Sequence, residues 1–250
     1  HGIGRRQRQM CIRDRANIEY ILKELDNFFK SKSSNKKYRA IVTAGPTQEY
    51  IDPVRYISNR SSGKQGYEIA KSLFNNGFDT TLISGPSKLT PDPNINLLKV
   101  NTAEEMYKKT VENLPCDVAI FCAAVGDFKV KNLSENKIKK NKDLKLDFEK
   151  NIDILKLISK NNNKPKLVIG FSAETNNLHS NSKQKLQNKG CDWIIANDVS
   201  KSDIGFDSDF NEVSIFYKDK NVEDEIISKT YKSVVADEIV KRVINQLNLI

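Results

Sequence analysis

The chain has 250 residues, 38% of them hydrophobic, and a formal net charge of +9. That length suits one large domain or two small ones, and no apolar run approaches the roughly 18 residues that span a membrane. The four cysteines form no CxxC pair and the only histidines are His1 and His179, which argues against a disulfide framework, a histidine-rich metal site and a Ser-His-Asp triad, and favours a reducing, cytoplasmic setting.

Residues 1–15, HGIGRRQRQMCIRDR, hold five arginines and one aspartate and supply +4 of the net charge. They show neither apolar periodicity nor the long apolar run of a secretory signal. This segment is expected to be non-native or disordered, apart from the fold. From residue 16 the pattern turns helical, with apolar Ile18, Ile21, Leu22, Leu25 and Phe28. Residues 31–37, SKSSNKK, read as a polar linker, so that 16–37 leads into a main domain over 38–250.

Strands and helices alternate from residue 39. The candidate strands are 40–43, 80–84, 97–100, 118–123, 167–171 and 193–196. Several are continuous apolar runs, as expected of strands buried on both faces. Helices are expected near 67–76, 102–114, 152–160 and 181–189. Thr102 and Glu105 have the spacing of a capping box, and Gly77 stands where a helix C-terminus needs a left-handed residue. Residues 213–217 alternate like a half-buried strand, 218–221 read as a hairpin turn, and 232–247 form an amphipathic helix. The order predicts an α/β protein built on a doubly wound parallel sheet, with a C-terminal hairpin and helix.

The segment 43–66, TAGPTQEYIDPVRYISNRSSGKQG, runs from a strand through a loop into a helix N-terminus. Backbone N–H groups at such a terminus lack partners, and the helix dipole favours an anion. Gly45, Gly63 and Gly66 let the backbone come close to a ligand. The alternative is that Gly63 and Gly66 only allow the helix to pack tightly on the strand. The spacing is neither GxGxxG nor a P-loop, because Pro46 and a long insertion intervene and Gln65 follows Lys64. Ligands of doubly wound sheets sit beyond the carboxyl ends of the strands. Ala123, Ala124 and Asp127 follow the fourth strand, Phe171 ends the fifth and Asn197 follows the sixth. Residues 128–150 carry eight lysines and four acids, which by itself describes a solvated loop.

The string TAGPT…IDPVRYISNRSSGKxG resembles the opening of phosphopantothenoylcysteine synthetase, the ligase half of the bacterial bifunctional coenzyme A biosynthesis flavoprotein. CAAVGD (122–127), KIKK (137–140), GFSAET (170–175) and ANDV (196–199) follow in the same order. The resemblance extends over about residues 38–245 and implies a Rossmann-like domain with a lysine-rich flap. It implies ligation of 4′-phosphopantothenate with L-cysteine through an acyl-nucleotide, with CTP as the nucleotide, Mg²⁺ beside it and a homodimer as the assembly. The helix and linker of 16–37 are what joins a flavin decarboxylase to the ligase in such proteins, so FMN belongs to a half outside this chain.

Roles follow residue by residue from the same resemblance. Gly45, Ser61, Gly63 and Gly66 are expected to cradle nucleotide phosphates. Phe171 and Asn197 line the base and ribose pocket, and Asp127, Ile152, Asp153, Ile154 and Leu155 also contact the nucleotide. Lys137 is the principal flap lysine, supported by Lys139 and Lys140. Lys185 and Lys189, four apart on one helix face, match nucleotide-contacting positions. Ala123 and Ala124 let phosphopantothenate lie close, Asn59 holds the acyl group, and Arg55 reaches the substrate phosphate of a neighbouring subunit. The bland alternatives are that Arg55 pairs with Asp52, that Phe171 is core and that the lysines are solvated. Pro46, Gly126 and Ile152 depart from the family's usual residues, but none removes a charge.

Two other functions are weighed. A nicotinamide-dependent oxidoreductase needs an acidic residue ending the second strand, where this chain has SGPS (84–87). A nucleic-acid binder needs aromatics among its basic residues, and only Phe128 and Phe148 flank the lysine-rich segment. No nucleic-acid or membrane partner is expected.

Overall fold

A computed structural model describes Leu22, Leu25 and residues 38–139, 145–200 and 208–249. The expectations for 1–15, for most of 16–37 and for Lys140 lie outside the described residues. Among those described, twelve strands and five helices follow in chain order. The strands are β1 (Tyr38–Ala44), β2 (Gln48–Tyr50), β3 (Tyr56–Ser58), β4 (Phe78–Ser84), β5 (Asn96–Lys99), β6 (Val118–Phe121), β7 (Phe128–Val130), β8 (Phe148–Lys150), β9 (Leu167–Glu174), β10 (Trp193–Asp198), β11 (Phe210–Tyr217) and β12 (Glu225–Tyr231). The helices are α1 (Lys64–Asn75), α2 (Ala103–Glu112), α3 (Ile154–Ser159), α4 (Leu178–Lys189) and α5 (Lys232–Leu249).

Eight strands form one sheet in the order β12-β11-β10-β9-β6-β1-β4-β5. Neighbours from β10 to β5 are parallel, and β11 and β12 add an antiparallel hairpin at one edge. The chain winds outward from β1 to β4 and β5, then returns to place β6 on the other side of β1. The crossover reverses there, so the β1–β6 junction is the switch point at which such sheets bind ligands.

The apolar strands are sandwiched, as their continuous runs require. On one face, Ile69, Ala70, Leu73 and Phe74 of α1 join Val235, Ile239, Val240 and Val243 of α5 over Val42, Ile120 and Ile169. On the other face Met106, Ile154, Ile158 and Leu186, from α2, α3 and α4, cover Ile41, Ile83, Val168 and Ile194. Burying each such side chain contributes about 1.5–3 kcal/mol, so the two layers dominate the stability of the domain. No described helix is long and apolar enough to cross a membrane.

Local signals act as the sequence suggests. Thr102 caps α2 by accepting the Glu105 N–H at 3.2 Å, while the Glu105 carboxylate reaches one residue further back, to the Asn101 N–H at 2.7 Å. Gly77 follows α1 with φ of 83°. Helix α1 begins at Lys64, three residues before the predicted start, because Gly63 takes a φ of 80° and turns the loop straight into the helix. A Cβ on Gly66 would lie only 2.6 Å from the Ala44 Cβ, so Gly66 brings α1 down onto β1. The packing alternative for Gly66 is therefore a fact of the structure, and it also sets the helix N-terminus against the switch point. Two antiparallel ribbons, β2–β3 and β7–β8, stand outside the main sheet.

Candidate functional site

Past the last residues of β1 and β6 the two chains stay joined. Ala124 N–H donates to Gly45 O at 2.9 Å, Thr47 N–H donates to Ala124 O at 3.3 Å, and Pro46 pairs with Ala124 as a parallel bridge. The Thr47 hydroxyl oxygen accepts the Gly126 N–H at 2.9 Å. Pro46 therefore extends the sheet in spite of its missing N–H. This seam carries the loops that line two adjoining cavities.

The first cavity, of about 440 Å³, is lined by the whole run from Asn59 to Gly66, by Ala123, Ala124 and Asp127, and by Phe171, Asn197, Asn211 and Lys232. The first turn of α1 faces it, and the N-cap, Gly63, supplies no side-chain cap to its amides. No acidic residue occupies that turn, so the dipole's positive end is not offset there. Asn59 is exposed, and its amide nitrogen donates to Val125 O at 3.0 Å. Lys64 forms an ion pair with Asp209 at the rim. Burial pushes the thiol of Cys122, also in the lining, up to about 12, which leaves it no nucleophile at neutral pH.

The second cavity, of about 480 Å³, is lined by Asn151 to Leu155, Lys150, Lys185, Lys189 and Phe128. It shares Ala123, Val125, Asp127 and Phe171 with the first. Both volumes fall within the roughly 300–1,000 Å³ of small-molecule sites. Asp153 caps α3 through the Lys156 N–H at 3.1 Å and pairs with Lys189 Nζ at 2.6 Å. Lys185 Nζ sits 2.6 Å from Glu174 and donates to the Ser172 hydroxyl at 2.8 Å. Glu174 is buried. Burial acts to raise its carboxyl, but hydrogen bonds from Lys185, Ser172 and Asn181 and the Lys185 charge outweigh it and hold the group below its ordinary value of 4.5.

Asn59, Ser61, Gly63, Gly66, Ala123, Ala124, Asp127, Phe171 and Asn197 thus meet in the first cavity, and Ile152, Asp153, Ile154, Leu155, Lys185 and Lys189 in the second. Four expected residues, Gly45, Arg55, Lys137 and Lys139, line neither. Gly45 lies beneath the loop, where a Cβ on Gly63 would come within 3.0 Å of its nitrogen. Arg55 pairs with Asp52 at 3.7 Å, its bland alternative. Lys137 is exposed on the lysine-rich segment. Sequence reasoning missed Lys232, Asn211 and Asn151. Lys232 is buried although it opens an amphipathic helix. Asn211 donates to Gln65 Oε1 at 3.1 Å across 146 residues of chain. No local pattern announces such partners.

Together the sheet, its switch point and the converging loops define a doubly wound α/β domain of the kind that takes a ligand at its carboxyl rim. The profile described as "DNA/pantothenate metabolism flavoprotein C-terminal domain" matches residues 35–247, and the chain belongs to that family. It is 38% identical over 227 residues to the coenzyme A biosynthesis bifunctional protein CoaBC of Haemophilus influenzae, which covers 90% of this chain and 56% of that protein. The chain therefore spans about half the length of the curated relatives it matches. A crystal structure of the C-terminal domain of CoaBC superposes with a TM-score of 0.70 at 34% identity, covering 86% of this chain and 99% of that one. A Cab2 variant in complex with phosphopantothenate-cysteine shares the fold, with a TM-score of 0.67 at 16% identity over 94% of each chain.

The Glu174 contacts yield a pH prediction. A carboxyl with a lowered folded-state pKa stabilises the fold above its unfolded value, and that stability is lost as pH falls through the folded value. Melting temperatures of the wild type and Glu174→Gln should differ by a constant amount above about pH 4.5 and converge below it. A gap that stays constant into the acid range would contradict the assignment.

Proposed function

We propose that this domain ligates 4′-phosphopantothenate with L-cysteine, using CTP, to give 4′-phosphopantothenoylcysteine, CMP and pyrophosphate in coenzyme A biosynthesis. One observation carries the reading: expected site residues from six separated segments (59–66, 123–127, 152–155, 171, 185–189 and 197) line two cavities that share Ala123, Asp127 and Phe171. A nucleotide and a second substrate can then lie against each other across a common wall.

In the first step a carboxylate oxygen of phosphopantothenate bonds to the α-phosphorus of CTP, and the bond to the bridging oxygen breaks, releasing pyrophosphate. In the second the cysteine amine bonds to the acyl carbon, CMP departs with the former carboxylate oxygen, and the amine loses a proton. Neither step needs a nucleophilic side chain, in keeping with the buried Cys122 thiol. Placement and charge neutralisation supply most of the rate. The α1 amides and the glycines at 63 and 66 receive phosphates, Phe171 and Asn197 receive the base and ribose, and Lys185 and Lys189 meet the nucleotide where it reaches past Phe171 into the second cavity. Lys137 neutralises the departing pyrophosphate as a mobile point charge. Asn59, beside Ala124 and Val125, holds the acyl-cytidylate and polarises its carbonyl.

Mg²⁺ would enter with the triphosphate. Asp127, the carboxylate that lines both cavities, would be the side chain to hold it. FMN serves the decarboxylase half of longer relatives, and no step here uses it. The setting is cytoplasmic, and the assembly is a homodimer through the β2–β3 ribbon, where Val54 and Tyr56 are exposed, as Phe128 and Phe148 are on the β7–β8 ribbon. Arg55 then reaches the neighbour's substrate phosphate. Light scattering at assay concentration should give twice the chain mass; a strictly monomeric mass contradicts the dimer.

Pyrophosphate release tests the chemistry. CTP with phosphopantothenate should release a first equivalent without cysteine, faster than ATP does. Lys137→Ala should suppress that burst. Asn59→Asp should keep it, then stall about 10²–10³-fold in the second step, with an acyl-cytidylate visible by mass spectrometry. Equal loss of the burst in both variants, or a preference for ATP, would overturn these roles.

A further inference from the structure

The sequence IDPVR (51–55) is left without a role by the two cavities. Its aspartate is wholly buried, at 0% exposure. Asp52 Oδ1 accepts the Val54 and Arg55 N–H groups, each at 2.8 Å, and so closes the tip of the β2–β3 ribbon. Its other oxygen, Oδ2, lies 3.7 Å from Arg55 Nε and faces the lysine-rich segment. It accepts the N–H of Ile138 at 3.2 Å, 86 residues along the chain and next to Lys137. Arg55 completes the grip, for its Nη2 donates to Ile138 O at 2.8 Å. Both polar groups of one peptide in the lysine-rich segment are therefore answered by the ribbon. A third bond runs from Ser134 N–H to Ile51 O at 3.2 Å.

Besides these, residues 131–139 are held by Lys131 N–H to Asp147 O at 2.9 Å at their start and by the Ser134 hydroxyl to Asn136 O at 2.7 Å within the stretch. Leu133 is 61% exposed, and Lys137 and Lys139 are exposed. Ordering such a stretch costs backbone entropy, and apolar burial here is too small to offset it. A carboxylate taken out of water is costly unless its lone pairs are filled. Asp52 fills them with three backbone N–H groups, one of which belongs to the lysine segment. Burial acts to raise this carboxyl, but those bonds and the Arg55 charge hold it below its ordinary value, so it is an acceptor at neutral pH.

We infer that Asp52 is a positioning residue for Lys137: it fixes, with Arg55, the point from which that lysine reaches the leaving pyrophosphate. The inference rests on the ligase reading for its kinetic part and on geometry alone for the tether. The tether uses Nε and Nη2 of Arg55, so Nη1 stands outside it and the proposed contact with a neighbour's substrate is compatible.

Asp52→Asn separates the two ends of the tether. An amide oxygen still accepts from Val54 and Arg55, while an amide nitrogen meets the Ile138 N–H donor against donor. Trypsin cleavage after Lys137 and Lys139, followed by mass spectrometry, should accelerate about tenfold, with other sites unchanged. The pyrophosphate burst should slow by a similar factor, and the reaction of cysteine with acyl-cytidylate should not. In a Lys137→Ala background, Asp52→Asn should add no further loss to the burst, the mark of one residue acting through another. An unchanged cleavage rate overturns the tether, and additive losses overturn the positioning role. If Asp52→Asn is cleaved throughout because it unfolds, Arg55→Lys is read by proteolysis instead: faster cleavage confined to Lys137 and Lys139 supports the tether, and none overturns it. A wild type without any burst sinks the ligase reading, and the proteolysis result still decides the tether.

Discussion

The hydrogen-bonded seam that continues β1 and β6 past their ends is the constraint from which the site follows. A parallel ladder normally lets its loops diverge at the switch point. Here Ala124 N–H to Gly45 O, Thr47 N–H to Ala124 O and the Pro46–Ala124 bridge keep the two chains together for several residues more. The seam forms a floor. The Asn59–Gly66 run and the Ala123–Asp127 run rise from it, so both reach the same ligand space. Because Gly66 lets α1 rest on Ala44, the helix N-terminus faces that space as well.

Charge is arranged around this floor in a way that composition does not convey. Net charge is +9, yet three of the cations that line the cavities are compensated: Lys185 by Glu174, Lys189 by Asp153, Lys64 by Asp209. Such pairs hold long side chains in place. A triphosphate offers more charge than one carboxylate and can compete for the same ammonium groups. Lys137, by contrast, stays exposed on a segment tied to the ribbon through Ile138.

Much of this was legible in the chain. Apolar runs such as Ile41–Val42 and Val118–Phe121 announced strands buried on both faces, and their order announced the doubly wound sheet. The loops at the strand ends carried motif residues that do meet. What stayed hidden has physical causes. The four strands of the two ribbons have three residues each, too short for a period to show. The hairpin leading into strand β12 was announced but the strand's bounds were not, because β12, with Ile226 72% exposed, lies at a sheet edge, where the apolar pattern weakens. Lys232, Asn211 and Asp52 owe their surroundings to partners dozens or hundreds of positions away, and sequence spacing carries no signal of that kind. The lysine-rich segment read as a solvated loop because its own pairing is limited to the short β7–β8 ribbon, and the side chains that hold Ile138, those of Asp52 and Arg55, are distant in sequence.

The central claim is that carboxylate and nucleotide react across the shared wall to form an acyl-cytidylate. Phosphopantothenate labelled with ¹⁸O in its carboxylate tests it most directly. Attack on the α-phosphorus, followed by aminolysis at the acyl carbon, must leave one labelled oxygen in CMP. Mass spectrometry of the products should therefore find ¹⁸O in CMP and none in pyrophosphate. Label in pyrophosphate or phosphate, with unlabelled CMP, would mean that the carboxylate attacks elsewhere on the triphosphate, and the account would fail.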